Sequence, residues 1–396
     1  MKAEGELSRR DVLRTGLVAA GAIALPAPLR ALAIEADELD PYIVERMHAG
    51  RLPGLSIAVV SDGEQIRSRS FGRANLFRHR PVERGTLFMV ASISKTVIST
   101  AALQAVEEGL FALDDDVDDH LPFPVRIPEH PGRRVTIRQL LTHTSAIRDR
   151  WSVWDDLYVP GNSPIPLGDF LAGYLVPGGE DYRRANFYPF APGAAYRYSN
   201  IGAALAAYVI EFAAGIGFDV WCRERIFGPL RMSRAGWRLA DVPAQDVAMP
   251  YRWSGTRDRY VAVRQYGYPD YPDGALRATA AHLARHFGMI MRGGAWRGTR
   301  VLRRSSVEET LRPQIPDLQH GQGLVWYRGR LGGRRVIGHN GGDKGVATMG
   351  FFDPATSIGV IALANGNWRA DRGCWPLVQI VDRDFTQAER GRLAWR

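Results

Sequence analysis

Segments that read as short strands gather at the two ends of this 396-residue chain, and helical patterns fill the middle. Near the start, Gly54 to Val60 leads into Ser61-Asp62-Gly63, with Gln65 to Phe71 as its hairpin partner. Near the end, Gly323 to Arg328, Arg334 to Ile337, Val346 to Asp353 and Ser357 to Ala364 read as strands separated by turns. Between them, Val97, Ile98, Ala101, Ala102, Ala105 and Val106 recur at helical spacing until Glu107-Glu108-Gly109. Arg138 to Leu141, Ile201 to Ala214 and Thr279 to Met291 follow the same period. This order predicts an α/β (α+β) fold: an antiparallel sheet formed from both termini and flanked by helices, with a mainly helical subdomain inserted. The sheet part is expected at about 34–90 and 320–396, the helical part at about 91–319.

Residues 1–33 read as an address. Ser8-Arg9-Arg10-Asp11-Val12-Leu13-Arg14 is a twin-arginine pattern, followed by small and apolar residues from Gly16 to Leu25 and the triplet Ala31-Leu32-Ala33. The pattern predicts a signal peptide, export to the periplasm or beyond, and a soluble mature chain, since no later run has the length and apolarity of a membrane span. Removing five basic and three acidic residues with that segment lowers the net charge from +9 to +7. The arginines are scattered rather than gathered into a stripe, which suits an anionic envelope and argues against nucleic acid. Cys222 and Cys374 could pair in an oxidising compartment, but two cysteines do not make a framework.

The chain has 48 arginines and three lysines, Lys2, Lys95 and Lys344. A guanidinium cannot give up its proton in a protein, whereas a buried amine can. Lys95 stands three residues after Ser92, at the start of a predicted helix, so it can aim its amine at the serine hydroxyl and act as its base. A helix-capping serine beside a surface lysine is the competing structural reading. Tyr198-Ser199-Asn200 adds a phenol able to relay a proton, and an amide able to position substrate or cap the helix from Ile201. His339-Asn340-Gly341-Gly342, placed between two predicted strands, adds glycines that admit close approach of a ligand. The N–H of Gly342 could join that of Ser92 in an oxyanion hole, and His339 could donate to a substrate carboxylate or to Tyr198.

In this order Ser-x-x-Lys, Tyr-x-Asn and His-x-Gly resemble the motifs of the serine β-lactamase and penicillin-binding-protein family. The tyrosine version is similar to class C β-lactamases, D-alanyl-D-alanine carboxypeptidases, D-amino-acid amidohydrolases and related esterases. The resemblance spans roughly residues 50 to 366 and includes Leu113-Asp114-Asp115-Asp116-Val117, Leu140 to Ser145, Gly274 to Thr279 and Ala364-Asn365-Gly366. It implies a β-lactamase/transpeptidase-like fold, Ser92 as acylated nucleophile, and Lys95 with Tyr198 as shared acid and base. Asn200, His339, Gly341 and Gly342 would bind and position substrate. His339 stands where potent β-lactamases of this kind carry lysine, and Asn340 replaces the usual hydroxyl residue; both departures favour a peptidase or esterase over a penicillin hydrolase.

Lys344 is expected either at the cleft mouth or as a solvated turn residue, and His143 as a hydrogen-bonded structural residue. The chain lacks Gly-x-Ser-x-Gly, His-Glu-x-x-His and a phosphate-binding Gly-x-x-x-x-Gly-Lys loop, so no metal or cofactor is expected. The expected partner is a small-molecule or peptide substrate, peptidoglycan included, with the chain acting as a monomer. A non-catalytic envelope protein using the same cleft to bind peptidoglycan or a partner is the alternative from another class.

Overall fold

The computed structural model describes residues 27–366 and 375–394. The twin-arginine pattern, the apolar stretch after it, and Cys374 lie outside the described residues, and Cys222 is buried.

Seven strands form the central sheet: β1 (Gly54–Ser61), β2 (Glu64–Asn75), β3 (Arg80–Pro81), β4 (Tyr327–Leu331), β5 (Arg334–Asp343), β6 (Val346–Asp353) and β7 (Ile358–Ala364). Their spatial order is β4-β5-β6-β7-β1-β2-β3, antiparallel at every join. The two ends of the chain therefore meet at β1 and β7, paired from Leu55↔Ala364 to Ser61↔Ile358. The β1–β2 turn uses Asp62 and Gly63 at φ 50° and 79°, the pair of positive angles that matches a tight hairpin to the twist of its strands.

Alternation along the strands divides the apolar residues between two layers. Leu55, Ile57 and Val59 of β1, with Val360 and Ala362 of β7, face α1 (Ala27–Ala49) and the last helix (Trp375–Ala394) through Leu39, Ile43, Leu377, Ile380 and Phe385. Ala58, Val60, Ile361 and Leu363 face the opposite layer, where helices inserted between β3 and β4 pack. Each fully buried Leu, Ile or Phe in these layers contributes about 1.5–3 kcal/mol.

Two helices of the inserted layer carry the site, α2 (Ser94–Glu107) and α3 (Asn200–Ala214), and a third, α4 (Ala280–Met291), packs against β1, β2 and β7. Every residue of α2 from Ser94 to Ala105 is buried. Its hydroxyls make that possible: Thr96 Oγ1 donates to the Ile93 carbonyl at 2.7 Å and Thr100 Oγ1 to that of Thr96 at 3.2 Å. Thr279 caps α4 by accepting from the His282 N–H.

Two strands differ from their sequence reading. Gly323 to Trp326 forms a turn, closed by the Gly323 N–H on the Trp326 carbonyl at 2.7 Å, and the edge strand begins only at Tyr327. β5 runs straight through His339-Asn340-Gly341-Gly342, which sequence places between strands. Glycine and asparagine weaken local strand propensity, but pairing of Gly338 to Asp343 with β6 carries the strand past them.

Candidate active site

The turn before α2 presents Ser92. Ala91 holds a left-handed backbone at φ 48°, costly for a residue with a Cβ, and opens a tight turn over Ala91–Ile93. Neighbours hold the turn in place: the Val90 N–H donates to the Leu276 carbonyl at 2.8 Å, and Thr348 Oγ1 donates to the Val90 carbonyl at 2.8 Å. β5 lies directly against it. A Cβ on Gly341 would sit 2.4 Å from Thr348 Oγ1, 2.7 Å from the Val90 carbonyl oxygen and 2.9 Å from the Ser92 nitrogen. Gly341 is required by this approach, and Gly342, the next residue, is exposed.

One turn into α2, Lys95 is wholly buried. Its Nζ donates to Ser92 Oγ at 3.1 Å, to the Asp273 carbonyl at 2.7 Å and, at 3.5 Å, to Asp273 Oδ2. It also lies 5.2 Å from the centroid of the Tyr198 ring. Burial pushes the lysine pKa down, but Tyr198 and Asp273 overcome that, and the net direction is upward. The resting amine is therefore an ammonium, which corrects the expectation of a lysine neutralised by burial.

Tyr198 is 37% exposed and bridges this buried lysine to solvent. Its ring packs on His143 with centroids 4.3 Å apart. His143 accepts from the Ser199 N–H through Nδ1 at 3.3 Å, while its buried Nε2 has no partner among the described residues, so they leave it half satisfied. Burial, then Lys95 and His339, hold its pKa well below the usual value. Ser199 caps α3 by accepting from the Gly202 N–H at 2.9 Å, a role that sequence allowed to Asn200. Asn200 instead turns its side-chain nitrogen to Asp149 Oδ2 at 3.1 Å, so that donor does not point at a substrate. The same carboxylate accepts from the backbone N–H groups of Asn200 and Ile201 and from Ser199 Oγ, which anchors the Tyr198 segment at the positive end of a helix.

His339, on β5, is buried, with its ring 6.2 Å from that of Tyr198 and 5.4 Å from that of Tyr327. Its Nδ1 lies 2.5 Å from the Asn340 carbonyl, which accepts the ring proton and leaves Nε2 as an acceptor. Burial, then Lys95, push its pKa down to about 3. A neutral, buried ring is a poor captor of a substrate carboxylate, contrary to the donor role expected for it. Lys344, half-buried in the turn after β5, places Nζ 3.7 Å over the Tyr158 ring. Tyr158 and Tyr268 donate their hydroxyls to Asp343 at 2.9 and 3.3 Å.

Ser92, Lys95, Tyr198, His339 and Gly341 thus converge, and Asn200 joins them through Asp149. Asp149, Asp273 and Asp343 were not legible in the sequence: none has a motif or period, although Asp273 directly precedes the Gly274 to Thr279 stretch. Among the described residues no three His, Cys, Asp or Glu side chains are grouped to hold a metal. A hydroxyl bonded to a buried amine, a partly open phenol and a glycine strand edge can together perform acyl transfer.

A family model described as beta-lactamase matches residues 39–382. Penicillin-binding protein 4* of Bacillus subtilis is 25% identical over 316 residues, covering 74% of this chain and 64% of that protein. The esterase EstB of Burkholderia gladioli is 33% identical over 224 residues, 54% of each chain. The chain thus spans about half to two-thirds of the length of these two relatives. Among solved structures, D-amino acid amidase from Ochrobactrum anthropi superposes with a TM-score of 0.70 at 21% identity, over 90% of this chain and 99% of that one.

Proposed function

This chain belongs to the β-lactamase family of serine hydrolases, and on that premise we propose that it is an exported hydrolase of esters and amides that forms an acyl-enzyme on Ser92. The observation that carries the reading is the 3.1 Å hydrogen bond from the buried Lys95 amine to Ser92 Oγ, beside a Tyr198 open to solvent. Ser92 Oγ attacks the substrate carbonyl carbon, and its proton leaves through the Lys95–Tyr198 pair to the departing group. The Ser92 and Gly342 N–H groups receive the oxyanion, and water then releases the acyl group. Export rests on the twin-arginine pattern at Arg9-Arg10 and would place a monomeric enzyme in the periplasm or outside the cell.

Within the family, an esterase-like or peptidase-like activity is favoured over penicillin hydrolysis. Its support is the state of the third motif: His339 is buried and uncharged, and Lys344 is engaged with Tyr158. A substrate carboxylate, borne by penicillins and by peptides ending in D-alanine, finds no cation on β5 at His339. The likeness to esterase EstB supports the same choice. A panel of a short p-nitrophenyl ester, a D-amino-acid amide, a D-Ala-D-Ala peptide and nitrocefin tests it. The ester or the amide is expected to show the highest kcat/KM, with every activity absent from Ser92→Ala. Nitrocefin as the best substrate would refute the preference.

A further inference from the structure

We propose that Asp273 is a positioning residue that fixes the shared proton of the Lys95–Tyr198 pair on Lys95, so that the Tyr198 oxygen receives the proton of Ser92. The proposal rests on the reading of Ser92 as nucleophile. A neutral amine has two N–H donors and a lone pair, whereas an ammonium has three donors and no lone pair. Lys95 Nζ faces two acceptors from Asp273, its carbonyl oxygen and Oδ2, and the Ser92 hydroxyl, which can accept or donate. The Tyr198 ring lies beside the same nitrogen, its centroid 5.2 Å away. What favours the third N–H is the ion pair with the Asp273 carboxylate at 3.5 Å.

A buried ammonium needs a counter-ion. Several titratable groups face the pair. Asp149 comes from the loop just before the short helix Trp151–Leu157 and spends its oxygens on the N-terminus of α3. Asp343, on β5, receives the hydroxyls of Tyr158 and Tyr268. Asp270, buried, shares the Asp270 to Asp273 segment and has its pKa raised well above normal by burial and by Asp273. His143 and His339 are neutral rings. Among the described residues Asp273 alone makes a salt bridge to Lys95. Its other oxygen, Oδ1, is buried and has no hydrogen-bond partner among the described residues, none of which draws the carboxylate away. Burial, opposed by Lys95 and reinforced by Asp343 and Asp149, raises Asp273 to about 7.

Above that pH the carboxylate holds the proton on Lys95 and Tyr198 is the acceptor. Below it Asp273 is neutral and its hold on the Lys95 proton is lost. During acylation the Ser92 O–H bond breaks as the Ser92 Oγ–carbonyl bond forms; the proton passes to the Tyr198 oxygen and then to the leaving group.

The test is the rate at which a fluorophosphonate modifies Ser92 in the full chain, followed by intact mass between pH 5 and 10. The wild type, Asp273→Asn, Tyr198→Phe and the double variant are compared. The wild-type rate is expected to climb through an apparent pKa near 7. D273N, its fold checked by circular dichroism, is expected to lose that limb and react about 10- to 100-fold more slowly at high pH. In the Y198F background it should change the rate less than about twofold, because both residues act through one pair. Y198F alone should also lose the limb, a result that needs no Asp273 variant to fold. A limb retained in D273N or Y198F, or fully multiplying effects, would overturn the proposal. A wild type with no adduct at Ser92 would instead overturn the proposed function.

Discussion

Replacing Gly341 by alanine probes how the sheet sets up the nucleophile. Gly341 does not need glycine for its backbone angle, since it is not among the residues at positive φ. It needs glycine for space. The added methyl would meet Thr348 Oγ1, the Val90 oxygen and the Ser92 nitrogen at 2.4, 2.7 and 2.9 Å. Ordinary contact for such a carbon begins at 3.4 Å, so the neighbours must yield by 0.5 to 1.0 Å. Two of the three are backbone atoms of the Ser92 turn, and the third anchors that turn. Overpacking of this kind costs about 1–3 kcal/mol in stability. A 1 Å displacement at the reacting centre costs about 100-fold in rate. The assay is fluorophosphonate modification of Ser92 beside thermal unfolding of the same samples. A G341A variant that reacts at the wild-type rate with an unchanged Tm would refute this account of the strand edge.

Tyr198→Phe should lower kcat/KM on the best substrate by about 100- to 10,000-fold with little change in Tm, and an effect below tenfold would remove the phenol from proton transfer. Asp149→Asn keeps the size of the side chain but removes the charge that four donors share at the head of α3. It should cost about 1–2 kcal/mol, read by urea unfolding, and an unchanged midpoint would count against the anchoring role. Burial pushes the His286 pKa down to about 3, while in the unfolded chain it returns to about 6.5. Its neutral ring therefore contributes stability that is fully present above pH 6.5 and is lost as pH falls toward 3. The slope is about 1.4 kcal/mol per pH unit, and His286→Gln should remove it. Equal slopes in wild type and variant would contradict the buried neutral state.

The terminal sheet and the long inserted helices were legible because strand alternation and helical period leave direct marks in sequence. β1, β6 and β7 differ from their expected limits by at most one residue. Sequence pattern alone ends β5 at Ile337, because its glycines carry no local strand signal; pairing with Thr348 and Ala347 on β6 supplies what propensity does not. In the site, Ser92, Lys95, Tyr198 and His339 stood out through spacing and residue rarity. Their protonation states did not. Lys95 keeps a raised pKa because Tyr198 and Asp273, the latter 178 positions away, reach it across the fold. His339 is neutral because its strand is buried. Distant contact and desolvation of this kind have no period and no motif, so charge state was the least readable property of the site.

The central claim is that Ser92 is the acylated nucleophile. Its most direct measurement is intact-mass and peptide mapping of the protein after reaction with a fluorophosphonate and, separately, a fluorescent penicillin. A single adduct on the peptide containing Ser92, absent from Ser92→Ala, is predicted for the fluorophosphonate. No adduct with either reagent, or an adduct that persists in Ser92→Ala, would contradict the account.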